Sequence, residues 1–209
     1  MSVIVHLSET AFMSIVVSAI ESFPSKYIGK RKPKNTFPEG EIFGLLFGQR
    51  FNKNSSSVFN VSIATPMQVL ENKTSDEVWR SPRHFERIKT VIEAYPMFQL
   101  LGCFHSHPWS KDEYKGIKSS KNSLTDELSA LADADECGDD LLEVILGLTF
   151  LQKAMNTPPD IRWSHIQNYC GNYKYSITAY ITNTDKRKLE LVDNLICPLA
   201  AGVGNYDLL

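Results

Sequence analysis

The chain has 209 residues of ordinary globular composition, 43% hydrophobic and 22% charged, with a formal charge of -2. This balance argues against binding to nucleic acid or to an anionic membrane, and no stretch approaches the roughly 20 apolar residues of a membrane span. The four cysteines form no CxxC pair, which disfavours a disulfide framework or a cysteine-based zinc finger and fits a reducing cytoplasm. The N-terminal segment lacks the basic region and cleavage site of a signal peptide, so we expect one cytoplasmic domain, 1–209, with its own core.

The first predicted element is a helix over residues 12–23, where apolar side chains recur at the spacing of one buried helical face. Ser8 is a suitable N-cap for this helix, and Pro24 is a suitable stop. The polar and basic segment 25–40 that follows is predicted to be a solvated loop.

Two strands and a second helix are predicted next. Residues 40–51 form a mainly apolar run that is typical of a buried strand, and apolar residues alternate over 59–63 as in a second strand. A turn at 52–57 joins the two. The apolar spacing over 85–95 predicts an amphipathic helix that ends at Pro96.

The second half of the chain begins with the apolar run 100–104, which leads into two histidines. A polar loop over 109–122 and a short helix that starts near Leu124 and stops near Gly138 come next. Three strands are predicted at 142–151, 161–168 and 175–181. A final helix over 185–195 and a flexible tail over 200–209 complete the prediction. These elements predict a mixed sheet with helices packed on it, in a single α/β or α+β domain.

The two histidines stand at positions i and i+2 at the end of the apolar run. In an extended segment, His105 and His107 project to the same side, so both imidazoles can reach one ion. Pro108 favours an extended backbone at His107, which supports this geometry. The alternative is a surface histidine pair without a metal.

A third ligand is available near the start of the following helix. Catalytic zinc sites use three protein ligands and leave one position for water. Asp126 can supply the third ligand, and Ser123 lies three residues before it on the same helical face. The alternative is a simple cap, with Ser123 as the N-cap and Asp126 in the first turn, and the two interpretations are compatible.

A carboxylate stands at the start of the first predicted strand. Because an unpaired buried charge is costly, Glu41 in front of an apolar run points to a site that compensates the charge. Water on a metal needs a proton acceptor, and Glu41 can take that role. Glu39 is a competing candidate, and an exposed carboxylate at a strand end is the remaining alternative.

Taken together, these segments resemble the JAMM motif of the catalytically competent MPN (JAB) domain metalloproteases. The resemblance covers roughly residues 3–151 and implies an MPN/JAB-like fold, which is cytidine deaminase-like, with a curved mixed sheet flanked by helices. The motif rests on three segments in chain order: Glu41-x-x-Gly44, His105-Ser106-His107-Pro108 and Ser123-x-x-Asp126.

The resemblance also implies an activity. It implies Zn²⁺ held by His105, His107 and Asp126, a bound water hydrogen-bonded to Glu41, and Ser123 as a stabiliser of the oxyanion. Such enzymes cleave isopeptide or peptide bonds after the C-terminus of ubiquitin or a ubiquitin-like protein, and prokaryotic relatives often accompany ubiquitin-like conjugation systems, some in antiphage defence. The implied partners are that C-terminal tail and its conjugates, with the activating and conjugating enzymes of the same system, and neither nucleic acid nor membrane.

The chain departs from the family pattern in two places. Family members usually place seven residues between the second histidine and the serine, whereas fifteen, 108–122, intervene here. A loop can grow at small entropic cost, so the ligands need not move, but the inserted 109–122 loop would lie beside the metal. We expect this loop to be either a lid or substrate-recognition loop or a disordered surface loop. Cys103 stands where many relatives have tryptophan, a difference expected to change packing and not chemistry.

Other functions stay open at this point. Many MPN domains are non-catalytic scaffold subunits of larger assemblies, although they lack motif residues that this chain retains. A cysteine hydrolase using Cys103 and His105 is conceivable, although Cys103 lies in an apolar run and is expected to be buried. A DNA-associated role is disfavoured only by the net charge, because fold does not fix function. His6, His84 and His165 are expected to be structural or surface residues.

Overall fold

The computed structural model describes residues 2–29, 39–53, 55–67, 70–73, 78–80, 82–155 and 157–202. Over these ranges the chain forms a single mixed α/β domain. Its helices are α1 (Glu9–Glu21), α2 (Pro82–Glu93) and α3 (Leu124–Cys137). Its strands are β1 (Ser2–Leu7), β2 (Phe43–Lys53), β3 (Ser56–Pro66), β4 (Leu70–Lys73), β5 (Val78–Arg80), β6 (Gln99–Trp109), β7 (Leu142–Phe150), β8 (Asp160–Arg162), β9 (His165–Cys170), β10 (Tyr173–Asn183), β11 (Lys188–Leu191) and β12 (Asn194–Ile196).

Most of these strands belong to one mixed sheet, in the order β12-β1-β3-β2-β6-β7-β10-β9-β8, with β11 paired to β10. β1 runs parallel to β3 and β12, and β6 runs parallel to β7, whereas the other pairs are antiparallel. Because neighbouring parallel strands need a crossover connection, the chain leaves β6, passes through α3 and returns to the sheet at β7. β4 and β5 form a separate hairpin.

One face of the sheet is covered by α1, which starts where Ser8 accepts a hydrogen bond from the Ala11 amide at 3.1 Å. The buried face of α1 packs on alternate residues of the central strands. These side chains form the larger apolar core and include Phe12, Ile15, Leu46, Phe104, Val144 and Ile177.

The opposite face of the sheet carries α2 and α3. Phe85 of α2 joins Leu45, Phe47 and Cys103 in a smaller apolar cluster on this face. Side chains alternate along β6, and Phe104 belongs to the α1 core. Cys103, His105 and His107 therefore all point to the second face.

The predicted single domain of mixed sheet and helices is confirmed, and so are several element boundaries. Ser8 caps α1, and α3 begins after Ser123 and ends at Gly138, whose φ of 69° is the left-handed conformation that glycine adopts easily. The strands predicted at 40–51, 59–63, 142–151 and 175–181 and the helix predicted at 85–95 correspond to β2, β3, β7, β10 and α2. β1, β4 and β5 were missed by the sequence analysis.

The predicted final helix over 185–195 is wrong. The chain turns at Arg187, whose φ is 53°, and then forms β11 and β12. β11 pairs antiparallel with β10, and β12 pairs parallel with β1. Leucines alternate with polar residues along β11, a period of two that fits a strand, and the neighbouring strands supply the backbone hydrogen bonds that a helix would make internally.

Two other expectations also need correction. The strand predicted over 161–168 is a hairpin of β8 and β9, which folds back so that β9 alone pairs with β10. The flexible tail predicted over 200–209 begins too early, since Ala200 is buried and its carbonyl accepts hydrogen bonds from Tyr175 and Asn168. Residues 203–209 and the central part of the predicted 25–40 loop, 30–38, lie outside the described residues.

None of the helices within the described ranges combines the length and the apolar character that crossing a bilayer requires.

Candidate metal centre

Two imidazoles meet at the end of β6, on the face of the sheet that carries α2 and α3. The Nε2 atoms of His105 and His107 lie 3.0 Å apart. His105 is buried, and the side chain of His107 is 12% exposed, so solvent reaches the pair from the His107 side. The i, i+2 spacing in a strand therefore brings both rings to one point, as the sequence predicted.

Asp126 reaches the same point from the first turn of α3. Its Oδ1 lies 3.6 Å from Nε2 of His105, and its Oδ2 lies 3.7 Å from Nε2 of His107. A capping box holds the carboxylate, because the Ser123 amide donates to Oδ2 at 2.6 Å while the Asp126 amide donates to the Ser123 hydroxyl at 3.1 Å. Capping and ligation are therefore compatible in this helix.

The three side chains fit a divalent metal such as zinc. His105, His107 and Asp126 each offer one ligand atom, and these atoms all lie within 4.8 Å of one another. Ligands about 2.0–2.1 Å from a tetrahedral zinc are separated by about 3.3 Å, close to the separations observed here. Two imidazoles and one carboxylate are also a donor set that catalytic zinc uses. The group can hold a metal ion, and two imidazoles with one carboxylate suit zinc and other divalent metals such as iron.

Glu41 lies next to the three ligands without belonging to their group. Its Oε1 is 3.8 Å from Nε2 of His107. The chain ahead of β2 is tied to β6 by two hydrogen bonds: the Ile42 amide donates to the Ser106 hydroxyl at 3.2 Å, and the Ser106 amide donates to the Ile42 carbonyl at 3.1 Å. Ser106, between the two histidines, therefore fixes the position of Glu41 relative to both.

The competing carboxylate, Glu39, points elsewhere. Both of its oxygens accept hydrogen bonds from Ser25, one from the amide at 3.0 Å and one from the hydroxyl. The geometry therefore selects Glu41 over Glu39 as the carboxylate beside the ligands.

Gly44 allows β2 to pass closely over β6. A Cβ added at Gly44 would lie 2.3 Å from the ring of Phe104 and 2.6 Å from the Thr65 carbonyl oxygen. Any side chain here would push β2 away from β6, and Glu41 would move with it. The glycine in the Glu-x-x-Gly spacing thus has a packing explanation.

Glu143 is a member of this region that the sequence analysis missed. It lies on β7, and its Oε1 is 2.6 Å from Nδ1 of His105. Glu143 is only 6% exposed. The sequence did contain a sign of this role. Glu143 is a carboxylate inside an apolar strand, much as Glu41 is a carboxylate just before one, and a buried carboxylate needs a partner.

The inserted 109–122 segment is an ordered part of this face. Residues Gly116–Ser120 form a 3-10 turn, in which Ser119 and Ser120 are buried. The Trp109 indole donates to the Ser119 carbonyl at 2.9 Å, and the hydroxyls of Ser120 and Thr178 lie 2.7 Å apart. The segment therefore covers the polar side of β7 and β10, which argues against a disordered loop, one of the two alternatives for this segment.

Protonation of the two histidines differs. Burial lowers the pKa of His105, but the carboxylates of Asp126 and Glu143 outweigh it and raise the pKa to about 10. Burial and the charge of His105 lower the pKa of His107 to about 4. Burial works to raise the pKa of Asp126, yet the bond to His105 holds that pKa well below its usual range. The carboxylates of Asp126 and Glu143 therefore favour the charged form of His105.

The remaining candidates lie apart from the ligand group. Cys103 is buried, as expected, and its thiol donates to Asp133 at 3.8 Å. His6 is exposed on β1, and His165 of β9 contacts the hydroxyl of Ser164. Among the described residues, the one group of metal-binding side chains within mutual reach is the group of His105, His107 and Asp126.

No protein-family model matches the chain, and no curated protein matches its sequence.

Proposed function

We propose that the chain is a JAMM-type zinc metallopeptidase with an MPN/JAB-like fold, which hydrolyses the isopeptide or peptide bond after the C-terminus of ubiquitin or a ubiquitin-like protein. The observation that carries the proposal is the convergence of three metal-binding side chains with Glu41 at one end of β6. These residues come from three segments far apart in sequence, in the order of the motif that they resemble.

Nε2 of each histidine and the carboxylate of Asp126 would hold the metal. When bound, Zn²⁺ supplies a Lewis acid that polarises the scissile carbonyl and makes water acidic enough to be a nucleophile near neutral pH. A zinc ion with three protein ligands would have a fourth position for water or substrate, as catalytic zinc sites do. The side chains of His107 and Asp126 are 12% and 17% exposed, so this side of the group faces solvent.

Glu41 is the general base and then the general acid. Its carboxylate, 3.8 Å from His107 Nε2, lies where it can accept a proton from the attacking water. It then delivers the proton to the leaving amine, which departs as a neutral group. The Ser106 hydrogen bonds to the backbone of Ile42 fix the chain next to Glu41 and so limit where its carboxylate can lie.

Ser123 stabilises the oxyanion. Its hydroxyl oxygen accepts from the Asp126 amide, which leaves the hydroxyl hydrogen able to donate to a developing negative charge. One such donor is typically worth about 3 kcal/mol in the transition state.

The substrate class rests on the resemblance of the motif. The C-terminal tail of a ubiquitin-like protein is a narrow extended strand that can pair with a sheet edge and be drawn across the metal. The proposed setting is cytoplasmic, within a bacterial ubiquitin-like conjugation system that includes activating and conjugating enzymes and acts in antiphage defence.

The first experiment measures metal and cleavage together. Protein purified without chelator is analysed for zinc, and fusions of ubiquitin and of ubiquitin-like proteins are tested as substrates with and without a chelator. We expect about one zinc per chain, the number such a site holds, and cleavage that the chelator stops and zinc restores. Protein without zinc would refute the metal site, while zinc-loaded protein that cleaves none of these fusions would favour a non-catalytic scaffold.

Glu41→Gln tests the role of the base. We expect kcat to fall by about 10²–10⁴-fold, because the amide cannot accept the proton, with zinc content unchanged. Glu39→Gln is the matched control, since Glu39 is a carboxylate two residues away that pairs with Ser25. Equal rates for Glu41→Gln and Glu39→Gln would remove Glu41 from the mechanism.

A further inference from the structure

Glu143 is a buried carboxylate with a specific position relative to the ligands. On β7 it pairs in register with Cys103 of β6, while His105 pairs with Ile145. Leu142 and Val144 on either side belong to the core under α1, so Glu143 points to the opposite face, where the ligand group lies. From there its Oε1 reaches Nδ1 of His105 at 2.6 Å.

This contact decides which nitrogen of His105 can bind a metal. A neutral imidazole carries one hydrogen, and a carboxylate at hydrogen-bond distance places that hydrogen on Nδ1. The lone pair then resides on Nε2, the atom that faces His107 and Asp126. The same contact fixes the rotation of the ring.

The other histidine is supported differently. The backbone carbonyl of Ser119, in the inserted segment, hydrogen-bonds to His107, and the Trp109 indole donates to the same carbonyl at 2.9 Å. A neutral carbonyl and a carboxylate therefore support the two rings from different sides. Of the two supports, only the carboxylate adds negative charge behind its ligand.

We propose that Glu143 is a positioning residue of the metal centre, which holds the hydrogen of His105 on Nδ1 and so presents Nε2 to the metal as a more basic ligand. The inference rests on the metal site of the proposed function and not on any peptidase activity. Carboxylates behind histidine ligands commonly contribute 10–100-fold to metal affinity, and we assign that role to Glu143.

The test is the zinc dissociation constant of Glu143→Gln, measured by competition with a chromophoric chelator. We expect the constant to rise by roughly 10–100-fold relative to the wild type. Asp133→Asn is the matched control, because Asp133 is a second buried carboxylate on this face whose oxygen accepts from Cys103. We expect its zinc affinity to stay within about threefold of the wild type, below the 10–100-fold range assigned to a ligand's partner.

Two further readouts separate positioning from folding. Long-range ¹H–¹⁵N NMR of the zinc-loaded wild type is expected to show the His105 hydrogen on Nδ1, and Co²⁺-substituted Glu143→Gln is expected to show shifted ligand-field bands. Glu143→Asp, which keeps the charge, is expected to recover part of the lost affinity, and thermal melts confirm that each variant is folded.

The outcomes are distinct. A wild type that binds no zinc would overturn the metal site and this inference with it. A wild type that binds zinc, together with a folded Glu143→Gln of equal affinity, would overturn the role of Glu143 alone. An equal loss in Asp133→Asn would assign the effect to buried charge in general and would also overturn the positioning role.

Discussion

The two faces of the central sheet differ in composition although the same strands form both. Toward α1, the strands present apolar side chains that build the larger core: Phe104, Leu142, Val144, Leu146, Ile177 and Ala179. Toward α2 and α3, the same strands place histidine, carboxylate and hydroxyl side chains beside the smaller apolar cluster: His105, His107, Glu143, Thr149, Ser176 and Thr178. Both sets are largely buried, so burial alone does not distinguish a core from a site.

The difference lies in how each face is covered. α1 covers its face with apolar side chains, whose packing needs no directional partner. The inserted segment covers part of the other face through hydrogen bonds, such as those from Ser176 to the Gly116 carbonyl and between Ser120 and Thr178. Stability therefore depends mainly on the face toward α1, while the proposed chemistry depends on the face toward α2 and α3. Substitutions of neighbouring residues on one strand can test whether the two faces have these separate roles.

His107→Ala is expected to have the largest effect on the site. Two ligands remain, so we expect zinc to fall from about one ion per chain to near zero and cleavage to be lost. Zinc analysis of the purified variant measures the effect. A variant that kept stoichiometric zinc would remove His107 from the ligand set.

Phe104→Ala gives the opposite pattern on the same strand. Phe104 is fully buried in the α1 core, and its truncation is expected to cost about 3–5 kcal/mol of unfolding free energy. Denaturant unfolding measures this loss, and the fraction that stays folded is expected to bind zinc. A small loss of stability with a large loss of zinc affinity would contradict the separation of the two faces.

Ser123→Ala compares the two helix caps. Removing either cap is expected to cost about 1 kcal/mol, because Ser123 caps α3 as Ser8 caps α1. Only Ser123→Ala is expected to lower kcat, by about 10²-fold, through loss of the oxyanion donor. The same kcat in Ser123→Ala and Ser8→Ala would reduce Ser123 to a cap.

The pH dependence of stability should also distinguish the site. In chelator-treated protein, the pKa of His105 is raised from 6.5 to about 10. The contribution of His105 to the free energy of unfolding is therefore complete below pH 6.5 and is lost as pH rises through 10. The pKa of His107 is lowered to about 4, so stability is also lost as pH falls from 6.5 toward 4. We expect this contribution to peak near pH 6.5, the unperturbed value.

Thermal melts across pH 5–10, with and without saturating zinc, measure this contribution as a difference, because metal replaces the proton on His105. Since His105 titrates only without zinc, the stabilisation by zinc is expected to grow as pH rises above 6.5. A stabilisation independent of pH over that range would contradict the proton on His105.

The sequence predicted which side chains come together better than it predicted the residues that support them. His105, His107, Asp126 and Glu41 were found because their spacing is local or follows a motif, and strand and helix periodicity then fixes which way they point. Glu143 was missed because its partner, His105, is 38 positions away and β6–β7 pairing cannot be read from either strand alone.

Other features depended on contacts that no local pattern encodes. In the 185–195 segment the alternation typical of a strand covers only the four residues of β11, too few to decide against a helix, and pairing with β10 and β1 makes the segment two strands. The order of the inserted segment depends on hydroxyls from β10, which follow it by more than 50 residues. Its polar composition alone is equally typical of a disordered loop.

The parallel pairing of β6 with β7 has a consequence for the order of folding. Because the crossover between them carries Asp126, the histidines meet their third ligand only after this long connection has closed. Contacts between residues far apart in the sequence form slowly, so the group of His105, His107 and Asp126 is expected to be completed late, after the local hairpin of β2 and β3. Partial undocking of α3 would conversely separate Asp126 from the two histidines while the sheet stayed intact.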